Sequence, residues 1–320
     1  MTPLLDVAHA LAQASQIGLA RVDAQMLLLH VMGQPTHARA WLITHDDTPL
    51  SPDQAEHWQR LCAARLQGQP VAYLVGHKAF HGLQLQVDAR VLDPRPDTEV
   101  LVDWALDVLR TRPGRPAPRV LDLGTGSGAI ALAIAHAMAP ASTPSTEPFA
   151  ARAPDAPRAA PGPLDVEVTA VDASAEALAV ARANAERLGL PVRLLHGSWY
   201  DALGDRHAGA EAAAKPPTPA RFDCIVSNPP YIREDDVHLP ALRHEPRQAL
   251  TSGADGLDDI RTIVAGAPAW LARGGWLLLE HGWDQHEAVQ ALLRAAGFVD
   301  VQSRHDLADI PRCTGGRWPG

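Results

Sequence analysis

Cysteine is scarce in this chain. The three present, Cys62, Cys224 and Cys313, stand far apart and form no CxxC pair, which argues against a disulfide framework and against a zinc site. The fifteen histidines are scattered. His77 and His81 come nearest to a ligand spacing, but Gly76 and Gly82 flank them and no cysteine is close, so no metal is expected. A reduced, cytoplasmic protein is the plain expectation. Basic residues are outnumbered too: 28 Lys and Arg stand against 37 Asp and Glu, a net charge of −9. That weighs against direct binding to bare DNA or RNA, where a basic face supplies most of the affinity. It leaves room for a protein or a small-molecule substrate. Long apolar runs are also missing. No stretch approaches the roughly 20 residues a membrane span requires. The opening MTPLLDVAHALAQ carries an acid where a signal peptide carries a basic segment. Neither export nor a membrane partner is expected.

What is present is ordinary globular material. The chain has 320 residues, 46% hydrophobic and 20% charged, enough for two domains with their own cores. Residues 1–78 read as a helical domain. Leu4, Val7, Ala8 and Leu11 repeat at helical spacing, Gly33 closes a second segment, and Ser51-Pro52 opens another that Gly68 and Pro70 end. Residues 79–93 change period: Leu83, Leu85 and Val87 alternate with Gln84, Gln86 and Asp88, which predicts a β-hairpin linker. A helix follows in PRPDTEVLVDWALDVL, with Thr98 or Asp97 placed to cap it.

From Arg119 onward strands alternate with helices, through RVLDLG, DVEVTAVD, VRLLHG, FDCIVS and GWLLLE, which implies a parallel, doubly wound α/β sheet over 94–320. The segments around Val301 and Cys313 read as two paired strands closing it. Two stretches rich in Ala, Pro, Ser and Thr, residues 139–163 and 205–220, read as mobile surface inserts without catalytic work.

Gly124-Thr125-Gly126-Ser127-Gly128 lies between the first strand and its helix, where glycines permit a tight turn and let a ligand approach the backbone. Ala129 completes GxGxxA, so a nicotinamide dinucleotide remains open at this point. An acid able to bind a ribose diol follows: Asp172 lies 48 positions after Gly124, and 23 once the 25-residue insert is set aside, close to the roughly 20 expected. A blander alternative is that Asp172 caps the helix from Ser174, and the two roles can coexist. Asp122 leans the site toward S-adenosylmethionine or merely anchors the loop. Trp199, after the third strand, is placed to border an adenine ring.

SNPPY, residues 227–231, ends the fourth strand on the carboxyl edge where such sheets bind ligands. Asn228 precedes a proline and is pushed toward extended backbone. Pro229 is followed by another proline, so its carbonyl meets no donor there. The Asn228 side-chain oxygen and the Pro229 carbonyl are two acceptors matching the two hydrogens of a planar amino group, and Tyr231 can cover its flat face. Such a site suits alkylation of an amide or arylamine nitrogen, whose lone pair is otherwise delocalised.

Taken together the motifs resemble the bacterial peptide chain release factor N5-glutamine methyltransferases. The resemblance runs through RPDTEVLV at 95–102, LDLGTGSGAIALA at 121–133, VDAS at 171–174 and SNPPYI at 227–232. It continues in EPRQAL, GADGLDDI, LLLEHGWDQ and RCTGGRW. It implies a class I S-adenosylmethionine-dependent methyltransferase fold, Rossmann-like with an antiparallel last strand, plus a small N-terminal helical domain that contacts the release factor. It implies transfer of a methyl group from S-adenosyl-L-methionine to the glutamine of a GGQ motif, by a monomer. By matched position, Gly124 to Gly128, Asp172, Trp199 and Asn228 would hold the cofactor, with RPDTE beside its methionine end. Asn228 to Tyr231 would form the glutamine site, with Asn228 and Pro229 catalytic. The chain departs from the pattern in its inserts and at Asp93, where an apolar residue is usual. NPPY also serves enzymes that methylate amino groups of adenine in DNA or guanine in RNA, and a nearer rival methylates glutamine of a ribosomal protein. A nicotinamide oxidoreductase would need a hydride-transfer dyad, and none is visible.

Overall fold

A computed structural model describes residues 5–111, 117–139, 166–204 and 221–320. Most of the first insert, from residue 140, and all of the second lie outside these described residues. The chain divides into two compact units. The first runs up to Lys78 and includes Val87–Ala89 and His238–His244; the second holds the remainder.

The first unit is built from α1 (Val7–Gln16), α2 (Arg21–Val31), α3 (Arg39–Thr44), α4 (Pro52–Leu66) and α5 (Val71–Val75). Asp6 caps α1 by accepting from the His9 amide. Ser51 and Gln54 form a reciprocal capping box at α4, with Pro52 in the first turn, so the start read from Ser51-Pro52 has a local cause. The apolar stripes converge on Val7, Ala10, Leu27, Leu28, Leu50, Trp58 and Leu61. Arg65 pairs with Asp23 at 2.7 Å across α4 and α2.

A hairpin of β1 (His77–Phe80) and β2 (Leu83–Gln86) follows, starting two residues before the predicted linker and ending before Val87. His81 takes a left-handed φ of 45° at its turn, so His77 and His81 lie on a strand and a turn, not on one helical face.

The second unit contains a seven-stranded sheet in the order β5-β4-β3-β6-β7-β9-β8. Its strands are β3 (Arg119–Leu123), β4 (Glu167–Asp172), β5 (Arg193–His196), β6 (Phe222–Ser227), β7 (Leu271–Glu280), β8 (Val299–His305) and β9 (Pro311–Arg317). The first five are mutually parallel; β9 runs antiparallel to both β7 and β8. The doubly wound sheet with paired strands at its end, read from the alternation, is therefore the observed one.

The helices are α6 (Glu99–Arg110), α7 (Ala129–Ala137), α8 (Ala175–Leu188), α9 (Asp201–Gly204), α10 (Asp258–Trp270) and α11 (His286–Ala295). Side chains alternate across a strand. Leu121, Leu123, Ile225, Leu277 and Leu279 pack with Ile260, Ile263, Val264, Val289 and Leu293 of α10 and α11. The intervening positions point the other way; Trp276, for instance, meets Trp104 of α6, with ring centroids 6.1 Å apart. Asp122 and Glu280 share that second face and are buried.

One expectation is corrected here. Neither Thr98 nor Asp97 caps α6 with its side chain. The Thr98 hydroxyl is engaged by Asn228 at 3.2 Å and Asp97 by Arg312 at 3.2 Å. Tertiary partners outcompete the local cap.

Candidate active site

Gly124 and Thr125 both donate their amides to Val171 O, at 2.9 and 3.0 Å, which folds the glycine turn over the end of β4. Gly124, Gly126 and Gly128 have φ of 73°, 56° and 85°, a region other residues enter only under strain. Asp122 holds the turn from beneath. Its Oδ2 accepts from Thr125 Oγ1 at 2.6 Å and from the Ala131 amide at 3.2 Å. Asp122 is fully buried, and burial pushes its carboxyl up to about 7 despite those two donors. Of its two readings, the loop anchor is the one with contacts behind it. Thr125 and Ser127 are buried, and a Cβ at Gly128 would come within 2.9 Å of Leu132.

Asp172 closes β4. Its Oδ2 accepts from the Gly126 amide and its Oδ1 from the Ser174 amide, both at 2.8 Å. Burial raises its pKa and these two amides oppose the rise. The cap of α8 is Ser174, whose hydroxyl accepts from Ala177 N at 3.1 Å, so Asp172 is not that cap. Trp199 sits at φ 43° with its ring over the turn; a Cβ on Gly124 would stand 3.4 Å from it.

These groups surround one open cavity of about 250 Å³. Gly124, Gly126, Asp172, Trp199, Asn228 and Pro230 line it, whereas Thr125, Ser127, Gly128, Pro229 and Tyr231 stand behind or beside it. The lining also includes Ser198, Gln248 and Asp259, which were not singled out from the sequence. EPRQAL and GADGLDDI were visible as motifs, but one glutamine and one aspartate carry no chemical signature until a fold places them.

SNPPY leaves β6 at Ser227, whose hydroxyl donates to Leu123 O at 2.6 Å and ties the ends of β6 and β3 together. The Asn228 Nδ2 donates to Thr98 Oγ1 at 3.2 Å, which turns its Oδ1 away as an acceptor. Among the described residues no amide donates to the Pro229 carbonyl. Tyr231 is fixed at three points: its amide donates to Leu250 O at 3.2 Å, its carbonyl accepts from Gln285 Nε2 at 3.0 Å, and its hydroxyl donates to Glu280 Oε1 at 3.3 Å. Gly256 of GADGLDDI backs this corner so closely that a Cβ would fall 2.2 Å from Tyr231 O.

Glu280, at the end of β7, is buried; its Oε1 accepts the Tyr231 hydroxyl and its Oε2 has no hydrogen-bond partner. Burial pushes its carboxyl up to about 7; the Thr98 and Tyr231 hydroxyls and Arg312 pull it down, while Asp97 adds to the rise. Burial and Glu280 together drive the Tyr231 phenol upward. RPDTE is thus a frame beside SNPPY. Arg95 joins Asp93 to Glu245, Asp97 meets Arg312, Thr98 meets Asn228, and Glu99 accepts from the His81 amide at 3.0 Å. The unusual Asp93 is 6% exposed and compensated through Arg95 at 3.4 Å. Among the described residues no cluster of His, Cys, Asp or Glu could hold a metal, and no helix is long and apolar enough to cross a membrane.

Comparison with known proteins is in register with these motifs. The family model of the PrmC N-terminal domain matches residues 4–76. A release factor glutamine methyltransferase of Bordetella pertussis is 48% identical over 301 residues, covering 93% of this chain and 95% of that protein. One from Xylella fastidiosa (strain Temecula1) is 45% identical over 315 residues, 97% and 98% of the two chains. A solved protein-(glutamine-N5) methyltransferase (release factor-specific) from Alicyclobacillus acidocaldarius is 30% identical, covers 71% of this chain and 94% of its own, and has a TM-score of 0.38. With identity of this order along almost the full length of its relatives, the chain belongs to the release factor glutamine methyltransferase family.

Proposed function

We propose that the protein transfers a methyl group from S-adenosyl-L-methionine to the side-chain amide nitrogen, N5, of the glutamine in the GGQ motif of peptide chain release factors, in support of translation termination. The observation that carries this is the polarity of the SNPPY corner. The Asn228 Nδ2 is engaged by Thr98 while the Asn228 Oδ1 and the Pro229 carbonyl take no protein donor among the described residues. Asn228 lines the cavity that Asp172 also lines, and the buried Pro229 adjoins it in the chain.

The residues present fit the cofactor. The Asp172 carboxylate, held by two amides and bordering the cavity, suits a ribose diol. The Gly124 turn leaves open the space a Cβ would fill beneath Trp199, whose ring suits a flat purine. When bound, S-adenosyl-L-methionine supplies an electrophilic methyl group on a sulfonium. The protein's part is orientation. The Asn228 Oδ1 and the Pro229 carbonyl accept the two N–H groups of the substrate amide, and the Tyr231 ring covers its face. Accepting both hydrogens returns electron density to the nitrogen, and fixing it in place supplies a proximity gain of several kcal/mol. The proton facing Asn228 Oδ1 becomes acidic only as the new bond forms, then passes to solvent, so no strong base is required.

Support for a protein substrate comes from the acidic net charge and from the N-terminal helical unit matching the family's own N-terminal domain. That unit recognises the body of the release factor. The enzyme acts as a cytoplasmic monomer and does not bind nucleic acid directly. Incubating the full chain with full-length release factor and a labelled methyl donor, then mapping the label by mass spectrometry, tests this. Label on the GGQ glutamine is expected; label on DNA, RNA or a ribosomal protein instead would overturn it.

A further inference from the structure

We infer that Asn184 is a positioning residue for the cofactor turn: one buried amide on α8 joins the Gly124–Gly128 turn to the end of the β1–β2 hairpin, so that filling the cavity firms both. The inference rests on the reading that this cavity takes the cofactor. It goes beyond that reading, because Asn184 does not line the cavity.

Asn184 is 0% exposed, and a buried amide is costly unless its groups are paired. Both of its ends are used. Its Oδ1 accepts from the Gln86 amide at 2.7 Å and from Arg187 Nη2 at 3.3 Å. Its Nδ2 donates to Gln86 O at 2.9 Å and to Ser127 O at 3.0 Å. Two acceptor sites and two donor hydrogens are thereby filled. Rotating the amide by half a turn would set donors against donors, so one orientation holds.

The bond to Ser127 matters because of what α7 gives up. In a regular helix start the Ser127 carbonyl would accept from the amide four residues on, that of Ala131. That amide goes instead to Asp122 Oδ2 at 3.2 Å. The exit of the glycine turn is therefore held by two buried side chains, Asp122 on the amide side and Asn184 on the carbonyl side. Helix α8 lies close enough to reach: a Cβ on Gly128 would stand 3.4 Å from the Ala181 Cβ. Ala177, Ala181 and Asn184 follow one another along one face of α8, and Ala177 lines the cavity. At the other end, Gln86 closes β2, and Asn184 meets both its amide and its carbonyl as a neighbouring strand would. A ligand that favours one arrangement of the turn stabilises the hairpin end through this shared amide. By reciprocity, a docked hairpin raises the affinity for that ligand.

The test reads exchange of the Gln86 amide by NMR in the full chain, with and without saturating S-adenosylhomocysteine. In the parent the exchange is expected to slow about tenfold or more on saturation. In Asn184→Ala the slowing is expected to fall below about threefold, while the Gly126 amide, held by Asp172, still slows as in the parent. Calorimetry is expected to show the S-adenosylhomocysteine Kd raised about fivefold or more in Asn184→Ala, with kcat at saturating S-adenosyl-L-methionine within about threefold of the parent. Arg187→Ala is the control for hairpin packing alone, since Arg187 Nη2 holds β2 through Gln84 O without a hydrogen bond to the glycine turn. It is expected to loosen the hairpin yet keep the parental slowing and a Kd within about twofold. A ligand-bound parent whose Gln86 amide exchanges as fast as in the free protein would overturn the inference. So would a folded Asn184→Ala that keeps the parental slowing, or an Arg187→Ala that loses it as fully. If Asn184→Ala fails to fold, the parent and Arg187→Ala decide. A parent that binds S-adenosylhomocysteine but does not label release factor would sink the proposed function instead, and the exchange of Gln86 would still report on the coupling.

Discussion

The ends of β3 and β6 are hydrogen-bonded neighbours, tied by Ser227 Oγ to Leu123 O, and they are built in opposite ways. After β3 the chain spends glycines: Gly124, Gly126 and Gly128 all take positive φ, and the turn is rich in amide donors. After β6 it uses two consecutive prolines, removes donors, and leaves a carbonyl and a side-chain oxygen that take no protein donor among the described residues. The first end suits a ligand that brings oxygens and a flat ring. The second suits one that brings hydrogens. A sheet edge alone makes a binding crevice; the polarity of each loop decides what is bound and what is reacted upon.

If that division holds, damage to the two ends separates in kinetics. Asn228→Ala is expected to have the largest effect, a fall in kcat of about two to three orders of magnitude, the range seen when one preorganised polar group at a reacting centre is removed. Cofactor affinity, read by calorimetry, should remain close to the parent's. Near-parental turnover in this variant is incompatible with the two-acceptor mechanism. Asp172→Ala is expected to act in the reverse sense. It removes the acceptor for the Gly126 and Ser174 amides as well as the diol contact, and should raise the cofactor Kd by about tenfold or more, each tenfold being ~1.4 kcal/mol. At saturating cofactor its kcat should fall far less than that of Asn228→Ala. Equal losses of kcat in both variants would mean that the two loops are not separable.

Legibility from the sequence differed between the two ends for the same physical reason. Glycine turns and Pro-Pro corners act through their own backbones, so their meaning is local and readable. Sheet class, the paired closing strands and the Ser51-Pro52 helix start were readable for the same reason. The frame behind SNPPY was not. Thr98 sits where a cap is expected, and only the fold brings it to Asn228, 130 positions away in sequence. Glu280 closes the strand read from GWLLLE, where nothing local marks an acid as interior, yet it is buried. Gln285 gains its role from three carbonyls, of Tyr231, Asp255 and Gly256, contributed by two other segments. Asp93 looked like a departure on the rim and proves to be an interior charge matched by Arg95. Side chains whose partners are distant carry no periodicity, and a sequence reading can record them only as unexplained motif letters.

An effect outside turnover and cofactor affinity concerns stability, and it bears on the donor-poor end alone. The Glu280 carboxyl, ordinarily near 4.5, is pushed to about 7 in the folded protein by burial. Because the folded value lies above the unfolded one, the unfolded chain gives up this proton first. The stability from this group is full below about pH 4.5, is lost as the pH rises to about 7, and stays lost above it, by up to about 3 kcal/mol. The adjacent His281, also buried, has its pKa lowered to about 4, so its contribution runs the other way, present above about 6.5 and lost on acidification. Glu280→Gln removes the first slope and leaves the second. Between pH 5 and 8 the melting temperature of the parent is therefore expected to fall relative to the variant, by several degrees at 2–4 °C per kcal/mol for a unit of this size. Parallel melting curves across that range would show that Glu280 is not the buried titrating group that the SNPPY corner is built upon.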